Sequence, residues 1–284
     1  MKKIVDISEH NGNIDFKKLK QAGIDTCIIR IGWIGNKENH TIDKKFEEYY
    51  KEARKNGFKI GFYVYSYCKN SSTVLSGSEW VKRQLNGKYI DLPVFIDLED
   101  NTIKNLGKEE LTSHATIFCN YLLKHNIKKV GVYASLDWFK NKLDINKLLD
   151  YKIWLAEWTK KENHSFKYRV DLWQYTSDGH VSGILGRVDL NKCLCNCVEN
   201  VDNSVENVEK GQKEVFEVAK TYKNGSTPED VYSDSLLKYK IGSLNKYEVC
   251  ECLGIVNSRY IVKYKIDGTN TYKVGFVKYH GGIK

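Results

Sequence analysis

The chain of 284 residues is predicted to be an α/β protein, an irregular barrel of parallel strands followed by a small all-β domain. Three observations lead there. Apolar runs and helix-like segments alternate five times before residue 150, which is the pattern of parallel strands joined by crossover helices. The early strands are nearly continuously apolar, as strands buried on both faces are. Acids gather where those runs end, and no G-x-G-x-x-G or P-loop stands between strand and helix, which favours a barrel over an open doubly wound sheet.

KIVDIS at 3–8 is the first strand, followed by the turn Asn11-Gly12-Asn13. Asp15 can cap a helix that runs to about Ala22 and stops at Gly23. TCIIRIGW at 26–33 is a second strand, 43–56 a helix stopped by Gly57, and IGFYVYSY at 60–67 a third strand. A helix over 71–85 precedes PVFIDLE, the fourth strand. Residues 108–125 are helical, KVGVYAS at 129–135 is a fifth strand, and a helix of about a dozen residues follows. KIWLAEW at 152–158, VDLWQYTS at 170–177 and VDLNKC at 188–193 come after it. With no long helices left between them, these last strands close the barrel irregularly.

The stretch that carries chemistry is PVFIDLED, Pro93 to Asp100. Residues two apart on a strand share a face, so Asp97 and Glu99 project together, with Cα atoms about 6.6 Å apart. Like charges so close push their pKa values apart, leaving one carboxyl protonated and the other ionised. Glycoside hydrolysis needs that division of labour. The bland alternative is an acidic strand end facing water.

Composition is compatible with this chemistry. The chain is 41% hydrophobic and 12% aromatic, enough for a sizeable core, and its rings serve both as packing and as platforms for sugars. The net charge of +9 is scattered, with no arginine-rich helix or nucleic-acid motif, so nucleic acid is discounted as a partner. A general positive field suits an anionic polymer such as a bacterial wall. The start MKKIVDISEHNG is too short in apolar residues for a signal peptide, and no run reaches transmembrane length. Cys193, Cys195 and Cys197 alternate, as do Cys250 and Cys252, but the C-x-x-C knuckle of structural zinc is absent. Buried reduced thiols are the expectation, with no metal and no cofactor.

Six motifs, in order, carry a family resemblance: DISEHNG (6–12), FIDLED (95–100), VYAS (132–135), WLAEW (154–158), LWQYTS (172–177) and VDLN (188–191). Together they resemble glycoside hydrolase family 25, lysozymes that cleave peptidoglycan, over about residues 3 to 195. The resemblance implies a TIM-like (β/α)5(β)3 barrel with its site at the C-terminal ends of the strands. It implies Glu99 as acid/base, Asp97 as its catalytic partner, and Asp6 and Asp189 as flanking acids. Asp97 is then either a direct nucleophile or a stabiliser of the substrate's own acetamido group. Taken alone, Asp6 and Asp189 are equally well read as turn or helix caps. By the same resemblance Tyr65, Tyr133, Trp173 and Tyr175 line the sugar groove, while His10 fixes a loop. The implied substrate is the β-1,4 bond between N-acetylmuramic acid and N-acetylglucosamine in bacterial peptidoglycan.

The rest of the chain is organised differently. VENVDNSVENVEKG at 198–211 is polar and acidic and reads as a linker between a barrel at 1–197 and a domain at 212–284. Its valines, spaced by three and four, offer a route to self-association. Beyond it, VFEVAK, YEVCECLG, RYIVKYKI and YKVGFVKY read as short strands, with DGTN at 267–270 as a hairpin turn. This part resembles a bacterial SH3-like wall-binding module. The whole then resembles a bacteriophage endolysin, made in the host cytoplasm without a signal peptide and released to the wall by a holin. Two other readings compete. A chitinase-like family 18 barrel needs D-G-x-D-x-D-x-E, where Leu92, Pro93 and Val94 stand instead. A catalytically retired wall-binding protein would have no reason to keep Asp6, Asp97, Glu99 and Asp189.

Overall fold

The computed structural model describes residues 2–36, 39–195 and, between 221 and 283, all but 234–236, 238, 257–258, 270–271 and 279–281. The predicted linker, Cys197 and the VFEVAK segment lie outside the described residues. The chain divides into two compact units, Met1–Cys197 and Val198–Lys284.

In the first unit the strands are β1 (Lys3–Ile7), β2 (Thr26–Asn36), β3 (Asn39–Ile42), β4 (Lys59–Ser66), β5 (Val94–Asp97), β6 (Val130–Ser135), β7 (Lys152–Ala156), β8 (Leu172–Gly179) and β9 (Val188–Cys193). The helices are α1 (Phe16–Gln21), α2 (Phe46–Lys55), α3 (Ser71–Gln84), α4 (Lys108–Lys124) and α5 (Leu136–Asn141). Strand order is β1-β9-β8-β7-β6-β5-β4-β2-β3, and β1 also pairs with β2, so eight strands close on themselves and β3 adds an outer hairpin arm. Neighbours from β1 through β2 and β4 to β8 run parallel, while β9 is antiparallel to both β8 and β1. A helix lies between the strands of each crossover up to β7, and none follows β7, which is the (β/α)5(β)3 plan. The dozen-residue helix expected after β6 is shorter. α5 spans 6 residues, capped by Ser135, and a single 3-10 turn at Ile145–Lys147 follows it.

Each strand has an outward face of branched apolar residues under the helices and an inward face that is aromatic and polar. Ile29, Val64, Ile96, Val132 and Leu155 on the outward face are 0% exposed. In the lumen Trp154 stands edge-on to Tyr63, Phe95 and Tyr133, with ring centroids 5.8, 5.1 and 4.6 Å away. Gly131 on β6 makes room for this: a Cβ there would collide with the Phe95 ring and the Lys152 carbonyl. Asp15 caps α1 by accepting from Lys18 N (3.1 Å), as its position before an apolar run predicts.

The second unit has a seven-stranded sheet, wholly antiparallel, ordered β12-β11-β15-β14-β13-β10-β16. Its strands are β10 (Thr221–Lys223), β11 (Glu229–Tyr232), β12 (Lys240–Leu244), β13 (Val249–Val256), β14 (Arg259–Lys265), β15 (Tyr272–Val277) and β16 (Gly282–Ile283). Tyr222, Val231, Leu244, Cys252, Val262 and Val277 form its core. The expected hairpin joins β14 to β15, where Thr269 N donates to Ile266 O (3.1 Å).

Cys27, Cys68, Cys119 and Cys250 are buried free thiols, Cys193 and Cys252 are buried as well, and burial raises the pKa of Cys27, Cys68 and Cys119. Cys195 departs from the expectation of reduced thiols, because it is disulfide-bonded.

Candidate active site

Because parallel strands end on the same side, their last residues meet at one mouth of the barrel. Asp97 closes β5, and its Cα neighbours are Tyr65 on β4 and Tyr133 on β6. The strand stops at Asp97, yet Leu98 N still donates to Tyr133 O (3.0 Å), which keeps the chain extended and brings Glu99 to the same mouth. On the opposite wall Asp6 of β1 pairs with Asp189 of β9. All four acids line one cleft of ≈ 630 Å³, together with Arg30, Tyr63, Tyr65, Tyr133, Trp154 and Gln174.

Burial governs the electrostatics of this cleft. Asp6 and Asp97 are 5% and 3% exposed, and desolvation holds both carboxyls well above their ordinary range. The charge of Asp189 adds to the effect at Asp6, and the charges of Glu99 and Asp6 add to it at Asp97. Glu99 is pushed up to about 7 by desolvation and next by Asp189, against a lowering hydrogen bond from Tyr133. Asp189 is raised by desolvation. The four carboxyls therefore titrate as a group, each resisting ionisation more than a free carboxyl does.

Amide side chains fix the geometry. Asp6 Oδ2 accepts from Asn191 Nδ2 (2.7 Å) and Gln174 Nε2 (3.1 Å). Trp154 Nε1 donates to Asn191 Oδ1 (2.7 Å), while Gln174 Oε1 accepts from Tyr133 OH and Trp158 Nε1, each at 3.0 Å. Gln174 thus links the Tyr133 and Trp158 donors on one side to the Asp6 carboxyl on the other. Tyr65 OH donates to Asp100 Oδ2 (3.0 Å), and Asp100 Oδ1 holds the next turn through Thr102 N (2.7 Å). Arg30 Nε donates to the buried Asp43 (2.7 Å), and its charge lowers the carboxyl of Asp97. Asp97 Oδ1 and Arg30 Nη2 are buried without a hydrogen-bond partner among the described residues. They are the polar atoms left for a ligand to engage.

Of the predicted site residues, Asp6, Asp97, Glu99, Asp189, Tyr65 and Tyr133 come together in the cleft, and His10 stands at its edge in a 3-10 turn. Trp173 and Tyr175 do not line it. On β8 Trp173 pairs with Lys192 of β9, and Lys192 Nζ sits over the rings of Trp173 (4.7 Å) and Tyr175 (5.1 Å) on the outer face. The intervening Gln174 pairs with Asn191 and points inward. Gln174, Asn191 and Arg30 are the site residues that the sequence reading passed over. Each is a lone polar residue in an apolar strand, which is the available signal. Among the described residues no group of three or more His, Cys, Asp or Glu is arranged to hold a metal ion.

Residues 5–184 match the pattern of the Glycosyl hydrolases family 25. The chain belongs to that family. Over 190 residues it is 28% identical to the autolytic lysozyme of Clostridium acetobutylicum, a match covering 66% of this chain and 54% of that protein. The chain thus spans about half the length of that relative. The solved structure of the CTP1L endolysin is 26% identical with a TM-score of 0.60, covering 70% of this chain and 68% of that one. The solved structure of the spore cortex lytic enzyme SleM of Clostridium perfringens is also similar, with TM-score 0.59, 18% identity and 98% of both chains covered. In a family 25 hydrolase the mouth where Asp97 and Glu99 meet is the place to look for glycosidic chemistry.

Proposed function

We propose that the protein is an N-acetylmuramidase that cleaves the β-1,4 bond between N-acetylmuramic acid and N-acetylglucosamine in peptidoglycan. The observation that carries this reading is Glu99, pushed up to about 7 and lying in one cleft with the buried Asp97. A carboxyl at that value is protonated often enough to serve as acid and becomes a base once its proton is gone. Glu99 protonates the glycosidic oxygen, and the bond to the leaving sugar breaks as positive charge grows on the sugar carbon. Asp97 faces that charge, either bonding to the carbon or steadying the substrate's acetamido oxygen as it does so. Water deprotonated by Glu99 then releases the product. After burial, Asp189 and then Asp100 sustain the raised value of Glu99, and Tyr133 hydrogen-bonds to it.

The biological setting we infer is lysis of a bacterial host by a phage endolysin, acting on the wall after holin-type release. The likeness to the CTP1L endolysin supports it; the likeness to an autolytic lysozyme supports the second reading, a bacterial autolysin of the same activity. The antiparallel second unit supports an SH3-like wall-binding role, in which tethering raises the local concentration of the barrel at its substrate. Turbidity clearance of purified walls, with mass analysis of the new reducing ends, tests the proposal. Reducing-end muramic acid is expected; reducing-end glucosamine or no clearance on any wall would refute it.

A further inference from the structure

A single exposed leucine on open surface asks for no explanation. Leu185 is different: it is 92% exposed, more than any other large apolar side chain among the described residues, and it lines the catalytic cleft. Arg187, two residues on, lines the same cleft. The backbone that carries them is anchored on both sides. Ile184 is 7% exposed and bridges to Ile14, Gly183 O accepts from Asp15 N (2.8 Å), and Asn11 Nδ2 donates to Arg187 O (3.3 Å). Gly183 has φ 102°, and a Cβ on it would sit 2.5 Å from Asp15 O, so this close approach is reserved for glycine. Val188 then enters β9, 2% exposed.

Two side chains are therefore held over the cleft by a fixed frame, and neither contributes much to folding. Leu185 buries almost nothing. The Arg187 Nε to Asp178 Oδ1 pair is long, 3.7 Å, with side chains 74% and 70% exposed, a geometry worth little and easily exchanged for another anion. The rest of the cleft presents acids, phenols and small polar side chains, and its other guanidinium, Arg30, lies buried with its Nε paired to Asp43. An apolar contact beside an available cation does not match a neutral, hydroxyl-covered sugar ring. It matches a substituent with a methyl group next to a carboxylate.

We propose that Leu185 and Arg187 recognise the acidic peptide stem carried by the muramyl sugar, and so make a peptide-bearing glycan the preferred substrate. This rests on the muramidase reading. The methyl of the first amino acid meets Leu185, and the carboxylate that follows meets Arg187, away from the repelling acids deeper in the cleft.

The test compares kcat/KM of the full chain on soluble glycan strands that carry peptide stems and on the same strands stripped of them by an amidase. Wild type should prefer the peptide-bearing strands by about tenfold, the scale of one well-placed apolar contact. Leu185→Ala and Arg187→Gln should each reduce that preference about threefold or more, mainly through KM on the peptide-bearing strands. A wild-type ratio near one, or a ratio unaltered in both variants, would overturn the proposal. Hydrolysis of neither substrate by wild type would instead refute the muramidase reading, and the stem recognition with it.

Discussion

Asp6 and Asp189 face each other as Cα partners across the antiparallel β1–β9 ladder, and their carboxyls share a hydrogen bond. Two carboxyls can do so only with a proton between them. That bond raises Asp6 and lowers Asp189, so the pair takes up and loses its proton as one unit. After desolvation, the charge of Asp189 is the largest cause that lifts Glu99. A pair on one wall of the barrel thereby sets the acid on the other.

The first prediction follows directly. Asp189→Asn removes the charge but keeps the shape, so the value of Glu99 should fall below about 7. Activity needs protonated Glu99, so the alkaline limb of the kcat/KM profile should move to lower pH, as a pH–rate series would read. A limb that stays in place would mean that Asp189 acts on Glu99 only sterically, or not at all.

Asn191 holds Asp6 and Trp154 at once. Asn191→Leu leaves a buried carboxyl short of its closest donor and a buried indole N–H unpaired, which should destabilise the barrel by about 2–4 kcal/mol. Denaturant unfolding would measure this, and a loss under about 0.5 kcal/mol would show that neither bond matters.

How far the sequence led can be judged at this point. Strand positions, the crossover helices and the meeting of Asp97 with Glu99 were legible, because apolar runs ending in acids leave few alternatives. Strand parity on β8 was not. LWQYTS offers rings at 173 and 175 and an amide at 174, and favouring rings as sugar platforms selected the outward face. The decision is made by β9, whose Lys192 covers the rings and whose Asn191 meets Gln174. That pairing lies across an antiparallel register with bulges, which no local pattern reports.

Arg30 and Asp43 form a buried pair, with side chains 7% and 1% exposed. Arg30→Met leaves the buried carboxylate of Asp43 without its cation, held only by the backbone N–H groups of Glu9 and Lys45, and should cost about 3–5 kcal/mol. It should also raise Asp97 further, since Arg30 is the cation that lowers it. Thermal unfolding and the pH–rate profile of the same variant separate the two effects, and an unchanged melting temperature would contradict the first.

The raised Glu99 also makes stability depend on pH in a stated direction. Below about pH 4.5 the carboxyl is protonated in both folded and unfolded chains, and it makes no difference. As pH rises toward about 7 the unfolded chain ionises freely while the folded one resists, so stability is lost across that window. Glu99→Gln should therefore melt above wild type at pH 8 and level with it at pH 4. An equal gap at both values would mean that the burial of Glu99 carries no penalty.

The central claim is that Glu99 delivers the proton that breaks the glycosidic bond. Its most direct test is the rate at which Glu99→Gln releases reducing-end muramic acid from purified walls, with circular dichroism to verify the fold. The account predicts native-like dichroism and a rate lower by roughly 100-fold or more. A natively folded Glu99→Gln that releases muramic acid at near wild-type rate would contradict it.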